Sequence, residues 1–108
     1  MRVVTYLHRH SLGTEKRLGI LVSDTVILDP NFVFACDFER EGRFNARERA
    51  NVHCPPSLNA LLRTRENPRE VLHEAWGLML FLEKCGCFNM EDGTKYLIEM
   101  DKSISLTA

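Results

Sequence analysis

The chain has no long apolar run, no strong excess of charge of either sign and few aromatic residues, which make up 8% of its 108 positions. Each absence excludes a class. The longest apolar run, Gly77 to Leu82, is far short of the roughly 20 residues that a membrane-crossing helix needs. Met1-Arg2 runs straight into Val3-Val4 with no apolar stretch typical of a secretory leader, so a cytoplasmic protein is expected. A formal net charge of -1 leaves no global field for nucleic acid or an anionic membrane. The sequence has no glycine-rich phosphate loop, no Gly-x-Ser-x-Gly elbow and no Ser/His/Asp order for nucleophilic catalysis. Cys-x-x-Cys is missing as well. The four cysteines, Cys36, Cys54, Cys85 and Cys87, offer only the short Cys85-Gly-Cys87 pair, whereas structural zinc commonly uses two wider pairs. A thiol–metal site on Cys54, Cys85 and Cys87 with His53 is therefore the weakest of three readings, and buried or half-buried thiols are the plainer one.

What remains is an ordinary globular composition, 44% hydrophobic and 27% charged, at the length of one domain. Residues 2–8 are β-branched and aromatic and read as a strand. "RLGILV" at 17–22 and "TVILD" at 25–29 read as two more, joined tightly through Ser23-Asp24. Residues 9–16 read as a longer polar loop, giving a three-stranded antiparallel meander. Asp29 or Asn31 can cap a helix with Pro30 at its start, Phe32, Ala35, Phe38 and Glu39 on helical spacing, and Gly42 as its stop. A turn or two of helix can follow Asn45, until Cys54-Pro55-Pro56 breaks it. Ser57 caps a short helix with Leu58, Leu61 and Leu62 on one face.

The clearest helix spans 68–85, with Asn67 as cap, Pro68 first, and Val71, Ala75, Leu78 and Leu82 in register, widened by Leu72, Trp76 and Met79. One face of it should pack on the sheet, and its breadth leaves apolar surface for a further domain or a second chain. Gly86 ends it. After a turn around Asp92-Gly93, "YLIEMDKSISL" is extended, with imperfect alternation. The fold class is α+β: a small antiparallel sheet, the N-terminal meander plus a late strand, with three or four helices on one side.

The ordered segments "MRVVTYLH", "RLGILVSDTVILD", "PPSLNALL" and "YLIEMDKSISLTA" resemble the N-terminal domain of bacterial fumarylacetoacetate hydrolase family proteins, the 2-hydroxyhepta-2,4-diene-1,7-dioate isomerase-like members among them. The resemblance spans nearly the whole chain. Its closing motif falls on Asp101, Ile104, Leu106 and Ala108, where the family's catalytic domain begins just after. It implies that residues 1–108 are a single N-terminal domain of a larger enzyme, a hydrolase, isomerase or decarboxylase of small oxo-acids. Mg²⁺ or Mn²⁺ would be held by carboxylates of the catalytic domain, where a hard cation can chelate a 2-oxo-acid and stabilise its enolate. No catalytic, cofactor-binding or metal-binding residue of the family maps onto this chain. The partners expected are the chain's own catalytic domain and a second copy in a homodimer. A stand-alone interaction or self-associating module without enzymatic activity is the alternative.

Several residues look chemical by themselves. Glu99-x-Asp101 would place two carboxylates on one strand face, and His8-x-His10 two imidazoles; each is more simply solvated surface, since neither has enough partners for a metal. His53 and His73 read as isolated, His73 facing solvent. Arg40, Arg43, Arg47 and Arg49 interleave with Glu39, Glu41 and Glu48, a salt-bridged face rather than a phosphate grip.

Overall fold

The computed structural model describes residues 1–100 and 104–107, without the side chains of 10, 104, 105 and 107. Five antiparallel strands form one sheet: β1 (Arg2–His10), β2 (Gly13–Leu21), β3 (Val26–Leu28), β4 (Leu97–Glu99) and β5 (Ile104–Thr107), in the order β4-β3-β2-β1-β5. Four helices lie between β3 and β4 in the chain: α1 (Pro30–Arg40), α2 (Ala46–His53), α3 (Leu58–Thr64) and α4 (Pro68–Lys84). The α+β expectation and the N-terminal meander hold.

Two expectations about strands are corrected. The loop expected over 9–16 is mostly strand: β1 and β2 pair continuously from Arg2↔Leu21 to His10↔Gly13, leaving Ser11-Leu12 as the turn. Gly13 takes φ +134°, a conformation that costs a side-chain-bearing residue, so a polar stretch can reverse in two residues. The late extended segment is two strands. β4 pairs with β3 and β5 with β1, at opposite edges of the sheet.

The helix ends follow the sequence closely. The Asp29 carboxylate accepts from Phe32 N, the Ser57 hydroxyl from Ala60 N, and the Asn67 side chain from Glu70 N, so three of four helices start on a side-chain cap. Asn45 begins α2 differently. It sits in the left-handed region at φ 57° and its side chain makes no cap bond, a conformation asparagine tolerates better than most residues. Both long helices end on the same device. Gly42 and Gly86 adopt positive φ, and the next residue turns back, Arg43 N to Phe38 O and Cys87 N to Leu82 O, each 2.9 Å.

One core joins the layers. Leu18, Ile20 and Leu28 of the sheet meet Val33 and Phe34 of α1, Leu61 of α3, and Ala75, Met79 and Leu82 of α4, with Tyr96 closing the cluster. On α3 only Leu61 is buried; Leu62 faces solvent at 55% exposure. α4 shares this core with the sheet and also lies along α1, which itself contacts β2. Trp76 is half-buried at the margin of this core. Among the described residues, no helix is long and apolar enough to cross a membrane.

Candidate functional site

Pairing places Tyr6 opposite Arg17, and Gly19 and Leu21 follow Arg17 on the same face of β2. Ile27, opposite Leu21, shares that face. Gly19 is what lets β1 and β3 close over β2. A Cβ there would stand 2.5 Å from a methyl of Ile27 and 3.1 Å from the Tyr6 ring. The Tyr6 hydroxyl and Arg17 belong to a buried ionic cluster. Arg17 Nε donates to Asp29 Oδ2 at 2.7 Å, and the Tyr6 hydroxyl donates to the same oxygen at 2.5 Å. The other guanidinium nitrogens reach Glu15 at 2.5 Å and the Asn31 side-chain oxygen at 2.8 Å. Asn31 then donates to Asn51 and to the carbonyl of Cys54, tying α1 to α2 and to the start of the 54–57 connection. Phe32 lies flat under the guanidinium, 3.8 Å away.

Asp29 therefore has two tasks, capping α1 and neutralising Arg17. Both side chains are nearly inaccessible, at 0% and 5% exposure. Burial works against the Arg17 charge, but the adjacent Asp29 carboxylate outweighs it and holds the guanidinium protonated. Burial first, and the Asp29 charge second, push the Tyr6 hydroxyl well above the ordinary phenol range. Neither the Arg17 guanidinium nor the Tyr6 hydroxyl is an acid or base poised near neutrality. Where β3 ends, Leu18 N donates to Pro56 O at 2.6 Å, so the Pro55-Pro56 segment continues the edge of β2.

Beside this cluster an open cleft of about 690 Å³ is lined by His8, Phe32, Thr94, Lys95, Leu97 and Glu99, among others. Glu99 is exposed here; Asp101, its expected partner, lies outside the described residues, as does the side chain of His10. His73 is exposed, as expected. His53 is not isolated. It bridges Glu74 at 3.1 Å and Arg65 at 3.2 Å, and its ring packs edge-on against Phe34. The arginine face is salt-bridged, Arg40 to Asp37 and Arg43 to Glu41. Arg47 instead reaches Asp92 and Thr94 on the loop before β4. Bonds from the Thr94 backbone and hydroxyl, then that from Arg47, hold the Asp92 carboxyl down at about 2.

The cysteines are not arranged as the weakest reading, a thiol–metal site, would need. Cys54 is buried at the end of α2, with its thiol pushed up to about 12, chiefly by burial. Cys87 faces Cys36 of α1, while Cys85 is exposed. Among the described residues no group of three or more His, Cys, Asp or Glu side chains could hold a metal ion. The Tyr6–Arg17–Asp29 cluster was missed because its partners come from separate segments. The available signal was a single arginine on the otherwise apolar strand expected at 17–22, two residues before a glycine. Neither a family model, a curated protein nor a solved structure matches the chain at a significant level.

Proposed function

We propose that this chain is the non-catalytic N-terminal domain of a metal-dependent oxo-acid hydrolase, isomerase or decarboxylase of the fumarylacetoacetate hydrolase kind. It works in the cytoplasm by packing on or capping a catalytic domain that holds Mg²⁺ or Mn²⁺. The observation that supports this reading is convergence. "MRVVTYLH" supplies Tyr6, "RLGIL" supplies Arg17 and Leu18, "VILD" supplies Asp29, and "PPSLNALL" supplies Pro56, and these residues meet in or beside one buried cluster. Three of the four segments that carry the resemblance thus help to build the scaffold. Every guanidinium nitrogen of Arg17 and both oxygens of Asp29 are engaged inside the protein, which suits a structural role better than substrate recognition.

The test is an assay of the purified chain with Mg²⁺ or Mn²⁺ against acylpyruvates and oxaloacetate, corrected for turnover by the metal alone. No activity above the blank is expected; robust turnover would refute the scaffold role. Reading the frame downstream of Ala108 separates this from the second proposal, a stand-alone self-associating module. That alternative draws on Leu80 and Phe81 of α4 and on Phe88, which are about half exposed. A frame continuing into a carboxylate-rich catalytic domain supports the first reading. A stop codon with a concentration-dependent dimer in light scattering supports the second.

A further inference from the structure

Cys36 and Cys87 are 51 residues apart in sequence, and their sulfurs lie 3.3 Å apart. A disulfide requires about 2.05 Å. The sulfurs need to approach by only about 1.3 Å, within reach of small side-chain rotations.

The backbones on both sides are already held. Cys36 sits inside α1, among its buried residues. Cys87 follows the left-handed Gly86 that ends α4, and its N–H is bound to Leu82 O. Its carbonyl accepts from the buried Tyr96 hydroxyl at 2.7 Å. Cys87 is thus pinned from two directions with its sulfur turned toward α1. Cys85, only two residues before, is exposed on the other side of Gly86. Adjacency in sequence suggests Cys85–Cys87; the structure brings together a different pair.

We propose that Cys36 and Cys87 form a reversible disulfide that locks α1 to the end of α4, with a small-molecule disulfide such as oxidised glutathione as the oxidant. The half-buried Cys87 thiol, as its thiolate, attacks one sulfur of the oxidant. A mixed disulfide forms, and one reduced thiol leaves. The Cys36 sulfur then attacks the Cys87 sulfur, its proton passing to the departing thiolate, which leaves as the second thiol. The protein loses two protons and two electrons, and the small disulfide gains them as two thiols. Burial, followed by the contact with Cys87, pushes the Cys36 thiol up to about 12. This assigns the first attack to Cys87 and makes closure, not capture, the slower step.

The experiment uses the whole chain in its folded state. It is incubated with oxidised glutathione, quenched with an alkylating reagent, then unfolded and peptide-mapped. Two of the four thiols should be lost, with the Cys36 and Cys87 peptides linked to each other. A reductant should restore all four. The Cys85→Ser variant should form the same link. Cys36→Ala and Cys87→Ser should stop at a mixed disulfide or stay reduced. The proposal is overturned if all four thiols survive a strongly oxidising glutathione buffer, if Cys85 is linked to Cys87, or if the product is a dimer joined through Cys85. The wild-type map decides the question by itself, so a variant that fails to fold does not weaken the test.

Discussion

Arg17 is the residue on which the sheet face depends most. It is an ion nearly removed from water, held by Asp29, Glu15 and Asn31 and lying on Phe32. Removing it by Arg17→Met leaves the Asp29 carboxylate buried without its cation. The expected loss is about 3–5 kcal/mol in urea unfolding, far beyond that of an average substitution. Tyr6→Phe removes only one bond to an already paired carboxylate and should cost about 1.5 kcal/mol. If the two losses are equal, Asp29 is not the centre of the cluster. At Gly19 the argument is steric. Alanine would drive a methyl into Ile27, so Gly19→Ala should cost about 1–3 kcal/mol. Truncating Ile27 to alanine removes the obstructing methyl. The double variant should therefore be less destabilised than the sum of the two singles, and strict additivity would contradict the close approach.

At the level of elements, the helices were largely legible in the sequence because their end signals are local. Asp29-Pro30, Ser57 and Asn67-Pro68 mark starts, and Gly42 and Gly86 mark stops, each acting within a turn of its own position. Asn67→Ala should cost about 1 kcal/mol, with the loss visible as hydrogen-exchange fraying confined to the first turn of α4. The strands were less legible. "RHSLGTEK" is polar because both strands there are largely solvated, so composition suggested a loop where pairing makes a hairpin. The edge exchange between β4 and β5 is a matter of topology, which no local pattern encodes. The buried cluster was hidden for a related reason. Arg17 and Asp29 are unremarkable singly, a strand arginine and a helix cap, and become an ion pair only when β1, β2 and the head of α1 are assembled. The Cys36–Cys87 approach depends on α4 lying against α1, which sequence spacing does not report.

For the molecule as a whole, the direction of the pH response follows from its buried acids. Cys54 and Cys36 are raised from 9.0 to about 12, and Tyr6 and Tyr96 are raised as well, all chiefly by burial. In the unfolded chain these thiols ionise first. Above about pH 9 the unfolded state then binds fewer protons than the folded one, and stability falls as pH rises, until the folded thiols ionise near 12. With the thiols kept reduced, the urea midpoint should drop steadily between those limits. Cys54→Ala should flatten part of the slope, and a flat profile for the wild type would contradict the burial. Oxidation of the Cys36–Cys87 pair acts on the same global equilibrium. Closing a loop of this length is worth about 4 kcal/mol in the chain-entropy account, read as a higher urea midpoint for the oxidised form.

The placement of Trp76 makes these measurements simple to follow. It is the chain's lone tryptophan, seated half-sheltered where α4 borders the interior. Its fluorescence comes from one address: emission should move to longer wavelength as α4 leaves its neighbours, and to shorter wavelength if another surface settles over the indole. An optical gauge, needing no label, is therefore already installed beside the helix that the proposals above concern most.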